Sequence, residues 1–181
     1  MQNDISEIII TSEQIQKRVK ELSSEISKDY EGKQLMLVSV LKGATIFLAD
    51  LMKNISIPLS IDFMTVSSYK NTQSSGVVRN LLDLRETPEN KNILIVEDII
   101  DTGITMDYLC ENLKTRNPKS LKICSLLYKP ARKIKTIKID YLGFEVPDKF
   151  VVGYGIDYNE IYRNLPYICV LKPEVYKNSK L

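Results

Sequence analysis

The residues best suited to chemistry lie together in the stretch ILIVEDIIDTGIT, residues 93–105. An apolar run of strand type leads into Glu97, Asp98 and Asp101, and a Thr-Gly-x-Thr turn at 102–105 opens a helix pattern. Backbone N–H groups at such a turn and at the start of a helix favour phosphate. The carboxylates can accept hydrogen bonds from a sugar diol or ligate Mg²⁺. Together these residues indicate a site for a phosphorylated sugar.

A structural role is the alternative for the same acids, because Asp also caps helices and favours the helix dipole. For one acid we would prefer that interpretation. Three acids and a TGxT turn at the end of one buried strand favour a ligand site instead. The stretch is neither a P-loop nor a dinucleotide-binding fingerprint, since it contains neither GK[ST] nor GxGxxG.

The composition limits the possible reactions. Among 181 residues there is no histidine, which excludes His-based triads, His proton shuttles and His-ligated metal sites. Acid–base chemistry must therefore come from carboxylates, Lys, Tyr or Cys. Cys110, Cys124 and Cys169 lack CxxC spacing, which predicts reduced thiols rather than a disulfide framework or a zinc ribbon.

The charge and hydropathy patterns also bear on location and partners. The 25 basic and 23 acidic side chains give a net charge of +2, so no sequence-wide bias toward nucleic acid or anionic membrane is present. The N-terminal stretch is acidic where a secretory signal would be basic. No apolar run approaches the roughly 18 residues of a membrane span. We therefore predict a cytoplasmic protein with neither nucleic acid nor membrane as its partner.

The elements that must position the acidic stretch alternate between helix and strand periods. Thr11 and Gln14 have capping-box spacing, which predicts a helix that ends near Gly32. Further helices are predicted at 44–53 and 105–116. Strands are predicted at 35–41, 60–67, 77–84, 92–96, 120–128, 139–146, 150–154 and 167–171. Strands separated by helices indicate an α/β fold with a mostly parallel sheet.

The motifs, taken in order, resemble those of the type I phosphoribosyltransferases, and in detail their 6-oxopurine branch. VEDIIDTG at 96–103 is similar to the motif with which that family binds 5-phosphoribosyl diphosphate (PRPP). LKG at 41–43, SSY at 67–69, the Lys129 region and DKFVVGYGIDYNEIYRNLPYICVL at 148–171 resemble the same family in the expected order. The resemblance covers residues from about 35 to 171.

The resemblance implies a fold and a domain organisation. The expected fold is the type I phosphoribosyltransferase fold, with helices on both sides of a mostly parallel central sheet and a small hood formed by terminal segments. Residues 1–181 would form a single domain with a core at about 35–130. The hood would comprise the N-terminal segment and 140–181, and a mobile lid would span 67–77.

The resemblance also implies an activity, namely purine salvage. Such an enzyme transfers the 5-phosphoribosyl group from PRPP to hypoxanthine or guanine, with Mg²⁺ as cofactor, and gives IMP or GMP plus pyrophosphate. Relatives are commonly homodimers or homotetramers. Because bond breaking at the anomeric carbon runs ahead of bond making, positive charge develops on the ribose, as in glycoside hydrolysis.

Particular residues match the roles that this reaction requires. Asp101 matches the general base for the purine N7 proton. By resemblance, the residues that bind PRPP are Glu97, Asp98, Asp101, Thr102, Gly103, Ile104 and Thr105. By resemblance, pyrophosphate is bound by Lys42, Gly43, Ser68, Tyr69 and Arg163. The Leu41–Lys42 peptide is often cis in this family. By resemblance, the purine is bound by Lys129, Phe150, Val151 and Asp157. Mg²⁺ is bound by Glu97, Asp98 and Asp157.

Alternatives remain for the residues and for the function. Lys129 could belong to a solvated basic run, which is our interpretation of its neighbours Arg132, Lys133, Lys135 and Lys138. The same fold also serves non-enzymatic regulators that bind nucleotides or RNA. A receiver-type signalling domain ranks last, because it would leave the TGxT turn and the polar 67–76 segment without a role.

Overall fold

A computed structural model describes residues 1–68 and 78–177, with the backbone alone at 67, 68 and 78–80. The strands are β1 (Ile5–Ile10), β2 (Leu35–Val40), β3 (Leu59–Ser68), β4 (Val78–Leu82), β5 (Asn92–Ile100), β6 (Ser120–Tyr128), β7 (Tyr141–Glu145), β8 (Val151–Val152) and β9 (Ile168–Leu171). The helices are α1 (Ser12–Asp29), α2 (Thr45–Asn54), α3 (Ile104–Lys114) and α4 (Pro173–Lys177), with 3₁₀ turns at Gln2–Asp4 and Pro130–Arg132.

The central sheet has six strands in the order β4-β3-β2-β5-β6-β7. All neighbours in it are parallel except β3 and β4, which form the predicted hairpin. Every residue of β2 is buried, because helices cover both faces of the sheet. One face packs on α1 and α2 through residues such as Leu37 and Phe47, and the other packs on α3 through residues such as Ile95 and Leu109. The predicted α/β class and mostly parallel sheet are confirmed.

Helix α1 begins at the predicted capping box. The Gln14 N–H donates to Oγ1 of Thr11 at 3.3 Å, and the Thr11 N–H donates to Oε1 of Gln14 at 2.8 Å. The apolar stripe that predicted this helix is fully buried against the sheet. The stripe consists of Ile15, Val19, Leu22 and Ile26.

A second, antiparallel sheet of order β1-β9-β8 joins the beginning of the chain to its C-terminal part. It is the small hood of terminal segments that the resemblance implied. Strand β1 was not predicted, because most of its residues are half-buried or exposed and lack a clean alternation. Helix α4 was not predicted either. β7 pairs with β6 in the central sheet, although it falls within the 140–181 range assigned to the hood.

Strand β5 is longer than the predicted 92–96. Its parallel pairing with β6 continues through Glu97 opposite Ser125 and Ile100 opposite Tyr128. The first two acids of the motif are therefore strand residues on a fixed backbone, and only Asp101 belongs to the turn that follows. Of the helices within the described ranges, none has the length and apolar character needed to cross a membrane.

Candidate active site

The predicted site residues gather at the carboxyl ends of the parallel strands. The LKG segment follows β2, the acidic pair ends β5, and Lys129 follows β6. Since β2, β5 and β6 are adjacent in the sheet, these three segments lie side by side. The carboxyl edge of an open α/β sheet is where such folds bind ligands.

Glu97 and Asp98 form a partly buried acidic pair. Oε2 of Glu97 is buried and has no hydrogen-bond partner in the described part of the chain. Burial, and then the charge of Asp98, raise the pKa of Glu97 well above its usual value. Burial also raises the pKa of Asp98, although the Ile99 N–H donates to its Oδ1 at 2.8 Å. A pair of acids this short of positive partners suits a ligand that brings hydroxyl groups or a cation.

Gly43 allows the LKG segment to lie directly against this pair. A Cβ atom at Gly43 would stand 1.8 Å from Oδ2 of Asp98, so any other residue there would displace that carboxylate or the turn. A Cβ atom at Gly155, which has φ +101°, would stand 2.0 Å from the Gly43 carbonyl oxygen. Gly43 is thus the meeting point of three chain segments. The Leu41–Lys42 peptide is cis, as the resemblance implied.

The TGxT turn, which is predicted to hold a phosphate, leads directly into the N-terminus of α3. Gly103 has φ +81° and caps α3 at its N-terminus. The Ile104 N–H lies 3.4 Å from Oγ1 of Thr102 and donates to it. A cavity of about 120 Å³ opens here, lined by residues that include Asp101, Thr102, Gly103 and Thr105. An anion in it would meet N–H groups at the positive end of an eleven-residue helix.

Arg163 and Lys42 bring positive charge to the same edge. NH2 of Arg163 lies 2.9 Å from Oδ1 of Asp157, and NH1 donates to the Gly155 carbonyl at 2.7 Å. Oε2 of Glu160 lies 3.2 Å from both Lys42 Nζ and Arg163 NH2. The two cations that resemblance assigned to pyrophosphate are therefore linked through the Glu160 carboxylate, a contact that no sequence pattern predicted.

A cavity of about 420 Å³ contains the predicted purine residues Lys129 and Phe150. Lys129 is 6% exposed, which is unusual for a lysine, and burial lowers its pKa while the charge of Asp101 opposes that shift. The Phe150 ring stacks on Tyr176 at 4.7 Å between centroids. Val151, in β8, is buried. The solvated interpretation of Lys129 is therefore wrong.

Arg132 contacts the site in a way that its sequence did not predict. Its NH1 lies 3.1 Å from Oδ2 of Asp101, so it reaches the site, although its side chain is 49% exposed, as the solvated interpretation predicted. The only signal was its position three residues after Lys129, on one turn. Lys135 and Lys138 do lie on the surface, in ion pairs with Asp107 and Asp140.

The predicted lid and the predicted Mg²⁺ site remain predictions. Tyr69 and residues 70–77 of the predicted lid lie outside the described residues, and for Ser68 only the backbone is described. Among the described residues, no three acidic or thiol side chains come together as a group that could hold a metal ion. Glu97, Asp98 and Asp157 therefore do not form a ready-made three-carboxylate site.

The fold and site define a phosphoribosyl-transferring protein, and comparison with known proteins agrees. The family model "Phosphoribosyl transferase domain" matches residues 7–159. The hypoxanthine-guanine phosphoribosyltransferase of Bacillus subtilis is 53% identical to this chain over 179 residues, covering 98% of this chain and 99% of the relative. That of Staphylococcus aureus is 51% identical over 179 residues, covering 98% of this chain and 100% of the relative.

A solved structure gives the same result. The crystal structure of a hypoxanthine phosphoribosyltransferase from Staphylococcus aureus superposes with a TM-score of 0.95 at 51% identity, covering 98% of this chain and 97% of that one. The chain belongs to the hypoxanthine-guanine phosphoribosyltransferase family. It is thus an enzyme of the pentosyltransferase class, and the alternative of a non-enzymatic RNA-binding regulator loses its support.

Proposed function

We propose that this enzyme transfers the 5-phosphoribosyl group of PRPP to hypoxanthine or guanine, forming IMP or GMP and releasing pyrophosphate. The observation that carries the proposal is the meeting of an acidic pair, a phosphate cradle and a buried lysine at one edge of the sheet. Each group suits a different part of the two substrates.

The ribose would lie against Glu97 and Asp98. Their carboxylates can accept hydrogen bonds from the 2- and 3-hydroxyls. Because positive charge develops on the ribose as the bond to pyrophosphate breaks, fixed negative charge beside it stabilises the transition state more than the ground state. The phosphate at the other end of the sugar would occupy the cradle at Thr102–Thr105, where Gly103 permits close approach.

The purine would lie in the cavity of Lys129 and Phe150. A protonated lysine only donates hydrogen bonds, so it would bind the 6-oxo group of hypoxanthine or guanine and reject the 6-amino group of adenine. Asp101 would accept the proton as the N7–H bond breaks. The electron pair of that bond stays in the imidazole ring while N9 bonds to the anomeric carbon.

The leaving group would be held by Lys42, Gly43 and Arg163. The guanidinium of Arg163 suits two-point recognition of a phosphate. Since Glu160 contacts both cations, pyrophosphate would have to displace or share that carboxylate. Ser68 and Tyr69 remain predictions for the same role.

The donor set fits Mg²⁺. Magnesium commonly uses one or two carboxylates together with substrate oxygens, so it does not require a three-carboxylate cluster. Glu97, Asp98 and Asp157 are the residues we assign to it, and the unpartnered Oε2 of Glu97 suits such a role. When bound, the ion would neutralise charge on the diphosphate.

A spectrophotometric assay with PRPP, Mg²⁺ and each purine base in turn tests the proposal. We expect turnover with hypoxanthine and guanine and none with adenine, because adenine presents a donor to Lys129. Turnover with adenine but with neither hypoxanthine nor guanine, or turnover in the absence of a base, would contradict the proposal.

We also propose a cytoplasmic homodimer or homotetramer. Ile61 and Leu81, on the β3–β4 hairpin, are 42% and 67% exposed, and such apolar side chains are suited to contact with a second copy. A monomeric mass in light scattering would contradict self-association. Cys110, Cys124 and Cys169 are all free thiols, which accords with a reducing compartment.

A further inference from the structure

The guanidinium of Arg132 contacts the carboxylate that the proposed reaction uses as its base. NH1 lies 3.1 Å from Oδ2 of Asp101, and Nε lies 3.9 Å from Oδ1 of Asp148. The other oxygen of Asp101, Oδ1, is buried and has no hydrogen-bond partner within residues 1–68 and 78–177. One oxygen of the base is therefore held by an arginine, and the other is left without a hydrogen-bond partner.

The backbone fixes the two partners relative to each other. The Lys129 N–H donates to the Ile100 carbonyl at 3.0 Å, and the Ile134 N–H donates to the Thr102 carbonyl at 3.0 Å. The peptides on either side of the base are thus bonded to the backbone on either side of the arginine. The two side chains therefore leave backbone segments that are bonded to each other, which limits the ways in which they can meet.

The arginine also lies between the two halves of the site. Asp101 follows β5 on the ribose side, whereas Asp148 precedes Phe150 on the purine side. Arg132 lines the same cavity as Lys129 and Phe150. Its charge is therefore close to the place where the purine proton has to leave.

We propose that Arg132 is a positioning residue for the proton transfer. It binds Oδ2 of Asp101 and turns Oδ1 toward the purine N7 proton. A planar guanidinium fixes the orientation of a carboxylate better than an ammonium group does. This inference rests on the proposed function, in which Asp101 accepts that proton.

Three single variants test the role. Arg132→Gln removes the charge, Arg132→Lys keeps the charge without the planar fork, and Lys133→Gln removes a neighbouring charge as the control. We expect kcat with hypoxanthine to fall about 10- to 100-fold in R132Q, since misorientation of a reacting group has effects of that size. R132K should recover part of the loss, and K133Q should match the parent enzyme.

Binding measurements separate positioning from a general loss of structure. Because the ion pair is half-exposed, its removal should leave folding intact, which thermal unfolding of R132Q verifies. The Kd of PRPP, from calorimetry, and the KM of hypoxanthine should stay within about twofold of the parent values. An R132Q enzyme with unchanged kcat, or one whose only change is a higher KM or a weaker Kd, would overturn the proposal.

A double-mutant cycle tests whether Arg132 acts through Asp101. If it does, R132Q adds no further loss to Asp101→Asn, whereas independent effects would multiply and overturn the proposal. D101N alone should lower kcat by a few orders of magnitude, about 10²- to 10⁴-fold, while PRPP still binds. Unchanged kcat in D101N would remove Asp101 as the base and the positioning role with it, but transfer from PRPP would still stand in the assay with purine bases.

Discussion

Lys129 is a charged side chain that the fold holds buried, at 6% exposure. Burial lowers its pKa, which means that the folded protein binds this proton less tightly than the unfolded chain does. The group therefore opposes folding below its unfolded pKa, and this cost disappears as the pH rises through that value. A protein keeps such a group when a ligand needs its charge. Stability and purine recognition are thus in conflict at this residue.

Replacing Lys129 by Met should expose that conflict. The variant keeps the packing of the stem but loses the ammonium group, so we expect the free energy of unfolding to rise by about 0.5–1 kcal/mol. At the same time the KM for hypoxanthine should increase at least about tenfold, since the 6-oxo group loses its donor. Chemical denaturation and steady-state kinetics measure the two effects. A variant that is both less stable and fully active would contradict the assignment of Lys129.

The same charged group should give purine use an alkaline limit. Because the pKa of Lys129 is lowered from its usual value, the ammonium form is lost at a lower pH than for an exposed lysine. We expect kcat/KM for hypoxanthine to fall on the alkaline side of the pH profile, and this fall should be absent from the residual activity of K129M. An identical alkaline limb in both enzymes would assign it to another group.

At the scale of elements, the site depends on how closely β5 and the turn after β2 approach each other. The sequence predicted both strands and the acids but not this contact, because a tertiary distance has no local periodicity. It also ended β5 four residues early, since acids on a strand resemble the start of a loop. The contact of Arg132 with Asp101 was missed for the same reason: a Lys- and Arg-rich run on a turn predicts a solvated surface, and only the fold places Asp101 beside it.

Gly43→Ala tests the contact between the two elements. Its Cβ would lie 1.8 Å from Oδ2 of Asp98, so the carboxylate or the turn has to move. We expect kcat/KM for PRPP to fall about 100-fold, because catalytic groups displaced by about 1 Å lose effects of that size. Gly32→Ala is the control: φ is +69° with open space around it, so it should cost about 1 kcal/mol of stability and leave activity unchanged. Equal activity in the two variants would contradict this role for Gly43.

At the scale of the whole molecule, the site depends on the hood staying attached to the core. The resemblance placed three of the four purine residues, Phe150, Val151 and Asp157, after residue 148, and a hydrogen-bonded link attaches that segment to the core. The Tyr154 hydroxyl donates to Oδ2 of Asp50 at 2.7 Å, and the Gln16 amide donates to the same oxygen at 2.8 Å. One carboxylate on α2 thus joins α1 to the segment that follows β8. No local pattern could predict this link, because its partners are 104 and 34 residues apart.

Tyr154→Phe should therefore weaken the attachment of the hood without creating a cavity in the core. Tyr154 is 4% exposed, so the lost hydrogen bond leaves Asp50 with one donor fewer in a partly buried place, at a cost of about 1–2 kcal/mol. Burial and the Asp50 bond both raise the pKa of the Tyr154 hydroxyl, so it stays protonated and donating in the parent enzyme throughout neutral pH. Amide hydrogen exchange should speed up in β8 and β9 more than in β2, because the link holds the small sheet to the large one.

Tyr167→Phe, which removes the same group from a half-buried position nearby, is the control and should change neither the stability nor the exchange rates. If exchange in β2 and β9 rose equally, the two sheets would unfold as one unit and the hydrogen bond would not be what joins them.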